Sequence, residues 1–323
     1  MKITLNQIKQ ALDSQNYLSD TDTLYAVWAS ASQSRPLLLE GKPGVGKTSI
    51  AKALADGLDL PYIRLQMYEG LTDDKILYDY DYQKQLLMLE TIKPQLEKDF
   101  EGMTANEAIK AANKSIDFYG PDFLIKRPIL RAITGDKPCV LCIDEIDKAP
   151  EEIEYMLYEF LENYSITIPQ LGEIKCDEDK KPIVFITSNG YRELSGALRR
   201  RCNYLYLEPK TEKELVQIHI SKTRSSEKIA RGIARCLVVM EESAMRYKPS
   251  VAEAISYAKF LASNDNVTEE IALNSLSILV KDSHDLARAK NIIASHGSDM
   301  WTEDSADGLA EDFGDDEYDD YDD

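Results

Sequence analysis

Pro36-Leu37-Leu38-Leu39-Glu40-Gly41-Lys42-Pro43-Gly44-Val45-Gly46-Lys47-Thr48-Ser49-Ile50-Ala51-Lys52-Ala53-Leu54-Ala55 places a strand signal, a glycine loop and a helix signal in direct succession. The aliphatic run before the loop reads as a buried strand, and Ser49–Ala55 is rich in helix formers. Between them, Gly41–Thr48 fits G-x-x-x-x-G-K-[ST], a pattern that gains its meaning from that flanking context. Glycines let successive backbone N–H groups fold around phosphate oxygens with no Cβ in the way. The following helix adds the partial positive charge of its N-terminus. Gly41, Lys42, Pro43, Gly44, Val45, Gly46, Lys47, Thr48 and Ser49 are therefore the candidate phosphate cradle. Lys47 is suited to the β- and γ-phosphates, and Thr48 to a Mg²⁺ ion. A nucleoside triphosphate is the expected ligand.

Bulk properties narrow the class. At 323 residues the chain is long enough for one large domain and a smaller one. No apolar run approaches the length of a membrane span, and Met1–Gln7 lacks a signal-peptide pattern, so the expected location is cytoplasmic. Five cysteines without framework spacing fit a reducing compartment. Cys139 and Cys142 have C-x-x-C spacing but lie inside an apolar strand pattern, where buried small hydrophobes are the simpler reading. The net charge is −19, of which twelve acidic residues and no Lys or Arg fall between Glu303 and Asp323, leaving −7 for the rest. A mildly acidic body argues against a basic nucleic-acid groove.

Helix patterns cover Leu5–Leu12, Thr21–Ser32 and Glu151–Glu162. Strand patterns follow at Pro61–Leu65, Pro138–Ile143, Pro182–Thr187 and Tyr204–Leu207, several of them apolar throughout. Strands of that kind alternating with helices predict an α/β fold with a parallel sheet covered on both faces. Residues 67–134 read as an insertion with helical patches such as Ala105–Ala112, and Ser165–Lys175 as a hairpin. From about Thr211 to Ser295 the pattern is helical only. The expected organisation is a core over 1–208, a small helical domain over 209–298 and a disordered acidic tail over 299–323.

Asp144 and Glu145 fall just past the end of a buried strand, where α/β sheets place their sites. Asp144 is suited to hold Mg²⁺, and Glu145 to polarise a water for attack on the γ-phosphate. Asn189 closes Thr187-Ser188-Asn189 at the end of the next apolar strand, from which it can orient that water. Arg199-Arg200-Arg201 precede the last strand and read either as a solvated face or as the source of an arginine finger.

Together, Gly41–Thr48, Leu141–Asp147, Thr187–Asn189 and Ala197–Cys202, followed by an all-helical segment, resemble an AAA+ ATPase. The chain is most similar to the MoxR-type branch, on Arg64–Leu71, Lys84–Leu87, Phe123–Pro128 and Ile166–Ile174. The resemblance implies a P-loop AAA+ core with a helical lid, and ATP and Mg²⁺ bound at subunit interfaces of a ring, expected to be a hexamer. It also implies ATP hydrolysis and chaperone-like work on a protein partner, expected to be a von Willebrand factor A protein. Carried over by position, Lys47 and Thr48 match Walker A, Asp144 and Glu145 match Walker B, and Asn189 matches sensor 1. Arg201 best matches the finger, with Arg200 second. At the sensor 2 position, Lys248-Pro249-Ser250 has no arginine. Two other readings remain open: an ATP-gated assembly scaffold that rarely hydrolyses, and a small-molecule kinase. A GTPase is disfavoured because Asn113-Lys114-Ser115-Ile116 lacks the guanine-reading Asp.

Overall fold

The computed structural model describes residues 3–99, 104, 117–264 and 266–301. The helical patch expected at Ala105–Ala112, the Asn113–Ile116 segment and the acidic residues after Trp301 lie outside the described residues. The chain divides into two compact units, the first ending at Lys210 and the second beginning at Thr211.

The first unit is built on a five-stranded sheet of β1 (Leu37–Gly41), β2 (Tyr62–Gln66), β5 (Val140–Asp144), β8 (Ile183–Ser188) and β9 (Asn203–Leu207). The strand order is β2-β5-β8-β1-β9, and every pairing is parallel. Side chains alternate between the two faces, yet both faces are apolar. Leu38, Leu65, Leu141, Ile143, Val184 and Ile186 share a core with Leu157 and Phe160 of the helix Glu151–Asn163. Leu37, Leu39, Val140, Cys142 and Phe185 share the opposite one with Ile8, Leu12, Ile50 and Leu54. Burying both faces is why β5 is apolar through Ile143 and β8 through Ile186, before each turns polar at the rim. The α/β parallel-sheet expectation holds. Cys139 and Cys142 enter opposite cores as free thiols, and burial pushes both up to about 12.

Register sets the functional edge. Glu40 pairs with Ser188 and Gln66 with Asp144, so β1, β8, β5 and β2 all end at one rim. Such a rim, at the carboxyl ends of parallel strands, is where α/β sheets hold ligands.

Among the described residues of 67–134, no strand joins this sheet. The stretch's strands β3 (Tyr78–Tyr80) and β4 (Leu124–Lys126) pair only with each other, antiparallel. The stretch is not merely decorative, however. Ile76, Ile129, Leu130 and Ile133 are buried in the core, the last three on a helix that Pro128 opens at its first position. The expected hairpin is present as β6 (Ser165–Ile168) and β7 (Gly172–Lys175).

The second unit is helical, with helices Glu212–Thr223, Glu227–Glu242, Val251–Ala262, Glu269–Asn274 and Leu286–His296. Its core includes Ile233, Leu237, Met240, Tyr257, Leu261 and Ile293. Residues Asp299–Trp301, expected in the tail, belong here instead. Met300 is buried in this core, and Asp299 pairs with Arg235 at 3.1 Å. An apolar Met-Trp pair has more to gain from burial than its acidic neighbours suggest. No helix among the described residues is long and apolar enough to cross a membrane.

Candidate active site

The loop after β1 closes on the N-terminus of the helix Lys47–Gly57. Gly46 caps that helix at φ +102° and, having no side chain, supplies no cap hydrogen bond to the first-turn N–H groups. Those donors are left facing the rim, as an anion site requires. At Gly41 a Cβ would stand 2.5 Å from the Leu207 carbonyl oxygen, so only glycine lets the loop leave the sheet here. Lys47 is buried, and its Nζ donates to the carbonyls of Gly41 at 2.7 Å and Lys42 at 2.8 Å. Burial lowers its pKa, while Asp147, Asp144 and Glu145 oppose that shift. Lys42, Pro43, Gly44 and Ser49 are exposed around this cradle, and Val45 is buried under it.

Asp144 is buried at the end of β5 and heavily bonded. Its Oδ1 accepts from the hydroxyls of Thr48 at 2.8 Å and Thr187 at 2.6 Å. Its Oδ2 accepts from Arg64 Nε at 2.9 Å and Nη2 at 2.5 Å. Thr48 and Asp144 thus stand together as two hard oxygen donors. Among the described residues no three His, Cys, Asp or Glu side chains converge on a metal site. That donor set fits Mg²⁺, which keeps water and phosphate oxygens in its shell rather than an all-protein cage.

Glu145 follows at φ +57°, in the left-handed region that costs a non-glycine residue roughly 1–2 kcal/mol. Its backbone N–H donates to the Thr187 hydroxyl at 2.8 Å, which holds the turn. Its carboxylate is gripped on both oxygens. Oε1 accepts from Asn189 Nδ2 at 3.2 Å, and Oε2 from Gln66 Nε2 at 2.8 Å and Lys148 Nζ at 2.7 Å. Asp147 anchors the Asn189 loop, since its Oδ2 accepts from the N–H groups of Asn189 and Tyr191, both at 2.9 Å. Its Oδ1 is buried with no partner among the described residues.

The structure therefore brings Lys47, Thr48, Asp144, Glu145 and Asn189 to one rim. Arg64, Gln66, Asp147 and Thr187 join them, and sequence reasoning assigned none of these four a place in the site. Their signal was weak: β2 shows only a short alternation, and Arg64 and Gln66 become legible once β2 is known to flank β5.

The arginine run is not gathered into the cluster. Arg201 lies over the Tyr158 ring at 4.5 Å and pairs with Glu162 at 2.8 Å. Arg200 is exposed, and its guanidinium has no partner among the described residues. Arg35 holds the run's backbone by donating to the carbonyls of Arg200 and Arg201. Arg199 forms a two-point pair with Glu40, at 2.7 and 3.3 Å. In the helical unit, Lys248 Nζ donates to the Glu241 carbonyl. A pocket of about 340 Å³ opens beside the loop, bordered by Lys42, Pro43, Asn189, Gly190 and Arg199.

A Lon protease of Mycoplasmopsis agalactiae (strain NCTC 10123 / CIP 59.7 / PG2) is 26% identical over 187 residues. That match takes in 56% of this chain but only 15% of the relative's length. Among solved structures, a point mutant of Thermotoga maritima RuvB aligns at a TM-score of 0.45 and 18% identity, over 86% of this chain and 71% of the other. The Thermotoga maritima RuvB Holliday junction branch migration motor aligns at 0.42 and 18%, over 87% and 71%. The family comparison reaches further. Residues 36–202, just over half of the chain, match the AAA domain (dynein-related subfamily). Because that span covers more than half of the chain and carries the glycine loop, Asp144, Glu145 and Asn189 in the geometry above, the chain belongs to the AAA domain (dynein-related subfamily) family.

Proposed function

We propose that this chain is an ATP-hydrolysing ring ATPase of MoxR type, a hexamer that remodels a protein partner such as a von Willebrand factor A protein in the cytoplasm. The observation that carries this reading is the grip of Asn189 on Glu145, one residue past an Asp144 that is bonded to Thr48. A mere phosphate-binding turn has no use for a second carboxylate held in a costly backbone conformation.

In this reading the Gly41–Ser49 loop and Lys47 hold the triphosphate. Thr48 and Asp144 hold Mg²⁺, which when bound neutralises phosphate oxygens as their charge develops. Glu145 takes a proton from the attacking water as its oxygen bonds to the γ-phosphorus and the bond to the β-phosphate oxygen breaks, releasing ADP and phosphate. Asn189 orients that carboxylate and the water. Arg201, with Arg200 as second choice, crosses to the neighbouring subunit's nucleotide and offsets charge on the transferring group. The helical unit from Thr211 serves as the lid.

Steady-state phosphate release and particle mass with ATP and Mg²⁺ test this together. The expected result is a ring that releases phosphate and a Glu145→Gln ring that assembles but does not. A protein that stays a single subunit and releases no phosphate would sink the reading. Assembly on ATP without phosphate release would instead identify the ATP-gated scaffold.

A further inference from the structure

Three consecutive arginines have three different environments. Arg201 is drawn away to Glu162 and Tyr158, and Arg200 points to solvent. Arg199 alone turns toward its own chain's phosphate loop. It borders the pocket beside Lys42, Pro43 and Asn189, and its partner Glu40 is the residue immediately before Gly41.

The clasp is well fixed. Arg199 reaches both Glu40 oxygens, and Tyr204 donates its hydroxyl to Glu40 Oε2 at 2.9 Å. The Arg199 guanidinium also lies 5.9 Å from the Tyr204 ring centroid. Glu40 is 14% exposed and Arg199 39%, so the carboxylate is sheltered while part of the guanidinium faces the pocket. A guanidinium has five N–H donors in a rigid fork, and the pair with Glu40 uses two of them. The neighbouring cation Arg192 is committed to Glu154 and to the carbonyls of Ala149 and Ile146. Arg199 therefore combines a fixed position, spare donors and a place on the pocket wall.

Resting on the ATPase reading above, we propose that Arg199 donates to the terminal phosphate of the nucleotide bound by its own chain, with Glu40 holding its fork in place. The run then divides its labour: Arg199 reads ATP against ADP within one protomer, and its neighbours serve the next. ADP lacks the group that Arg199 contacts, so the residue confers preference for the triphosphate rather than affinity in general.

The test measures ATP and ADP affinities of the full chain by calorimetry in a Glu145→Gln background, below the concentration of assembly. Arg199→Ala is expected to weaken ATP binding roughly 10-fold, with ADP shifted less than about 2-fold, the size of one lost charge-assisted hydrogen bond. Arg199→Lys keeps the charge without the fork and is expected to fall between; it also serves if Arg199→Ala folds poorly. The double variant Glu40→Gln/Arg199→Ala separates direct contact from charge balance. If it regains the parental ATP preference, Arg199 only neutralises Glu40, and the proposal is wrong. An unchanged ATP-to-ADP ratio in Arg199→Ala overturns it too. Failure of the Glu145→Gln parent to bind either nucleotide would instead overturn the underlying site assignment, and with it this proposal.

Discussion

Asn189 Nδ2 donates to Glu145 Oε1 at 3.2 Å, joining the loop after β8 to the turn after β5 across 44 residues of sequence. The contact leaves Glu145 shared among three donors, since Gln66 and Lys148 hold its other oxygen. Substituting either end should separate chemistry from binding. Glu145→Gln is expected to lower phosphate release by about 10²-fold or more while ATP still binds, because the amide keeps the shape but cannot take a proton. Asn189→Ala should lower it by a smaller factor, about 10-fold or more. Full activity in Glu145→Gln would remove the proposed base.

Arg201 is docked on its own chain, but through a pair in which Glu162 is 58% exposed. Exposed pairs contribute at most about 1 kcal/mol, so a phosphate at a subunit interface can outcompete Glu162. Arg201→Ala should therefore cut turnover by roughly 10³ or more with nucleotide binding nearly intact. Glu162→Ala should not. Equal losses in the two variants would make the contact structural and remove Arg201 as the finger.

His219 gives the helical unit a pH dependence. It is fully buried, and neither ring nitrogen has a partner among the described residues. Desolvation pulls its pKa down to about 4. The unfolded chain gains a proton near pH 6.5 that the folded chain refuses, so this contribution is complete above pH 6.5 and is lost as pH falls toward 4. The limiting loss is about 3 kcal/mol. Denaturation of the full chain at about pH 7.5, above that window, and at about pH 4.5, near its lower end, checks it: His219→Leu should lose less stability between those values than the parent. Parallel losses would count against His219.

Truncation should behave differently on either side of Trp301. Stopping after Trp301 removes the acid-rich stretch 302–323 and should leave folding and ATP affinity unchanged. Stopping before Asp299 also removes Met300, which lies against Gly232 and Gly297 in the helical core, and should cost about 2–5 kcal/mol. Thermal unfolding of the two truncated chains distinguishes them; identical melting would place Met300 outside the core.

The legible parts of this molecule are those whose physics is local or one-dimensional. Val140–Ile143 and Ile183–Ile186 declared themselves because a strand buried on both faces has no polar phase. The glycine loop was legible because its chemistry is a spacing. Gln66 and Arg64 were not, because their meaning depends on β2 lying beside β5, and the bond from Gln66 to Glu145 spans 79 residues. Asp147 was hidden for the same reason: its partners are the N–H groups of Asn189 and Tyr191. The helix Tyr82–Asp99 escaped a helical reading because Leu86, Leu87, Met88 and Leu89 are consecutive and exposed, without an amphipathic period, and Pro94 sits inside it. The role of Arg199 was equally invisible, since three identical neighbours diverge only in what they touch.

The shared rim ties solubility to chemistry. If β8 slipped by one position against β1, Phe185 and Ile186 would exchange layers, and Asn189 would move about 3.3 Å along the strand axis from Glu145. Substitutions that loosen strand alignment should then yield aggregated chains rather than dissolved, inert ones, so evolutionary filtering for a well-behaved interior would guard the reaction centre as a by-product.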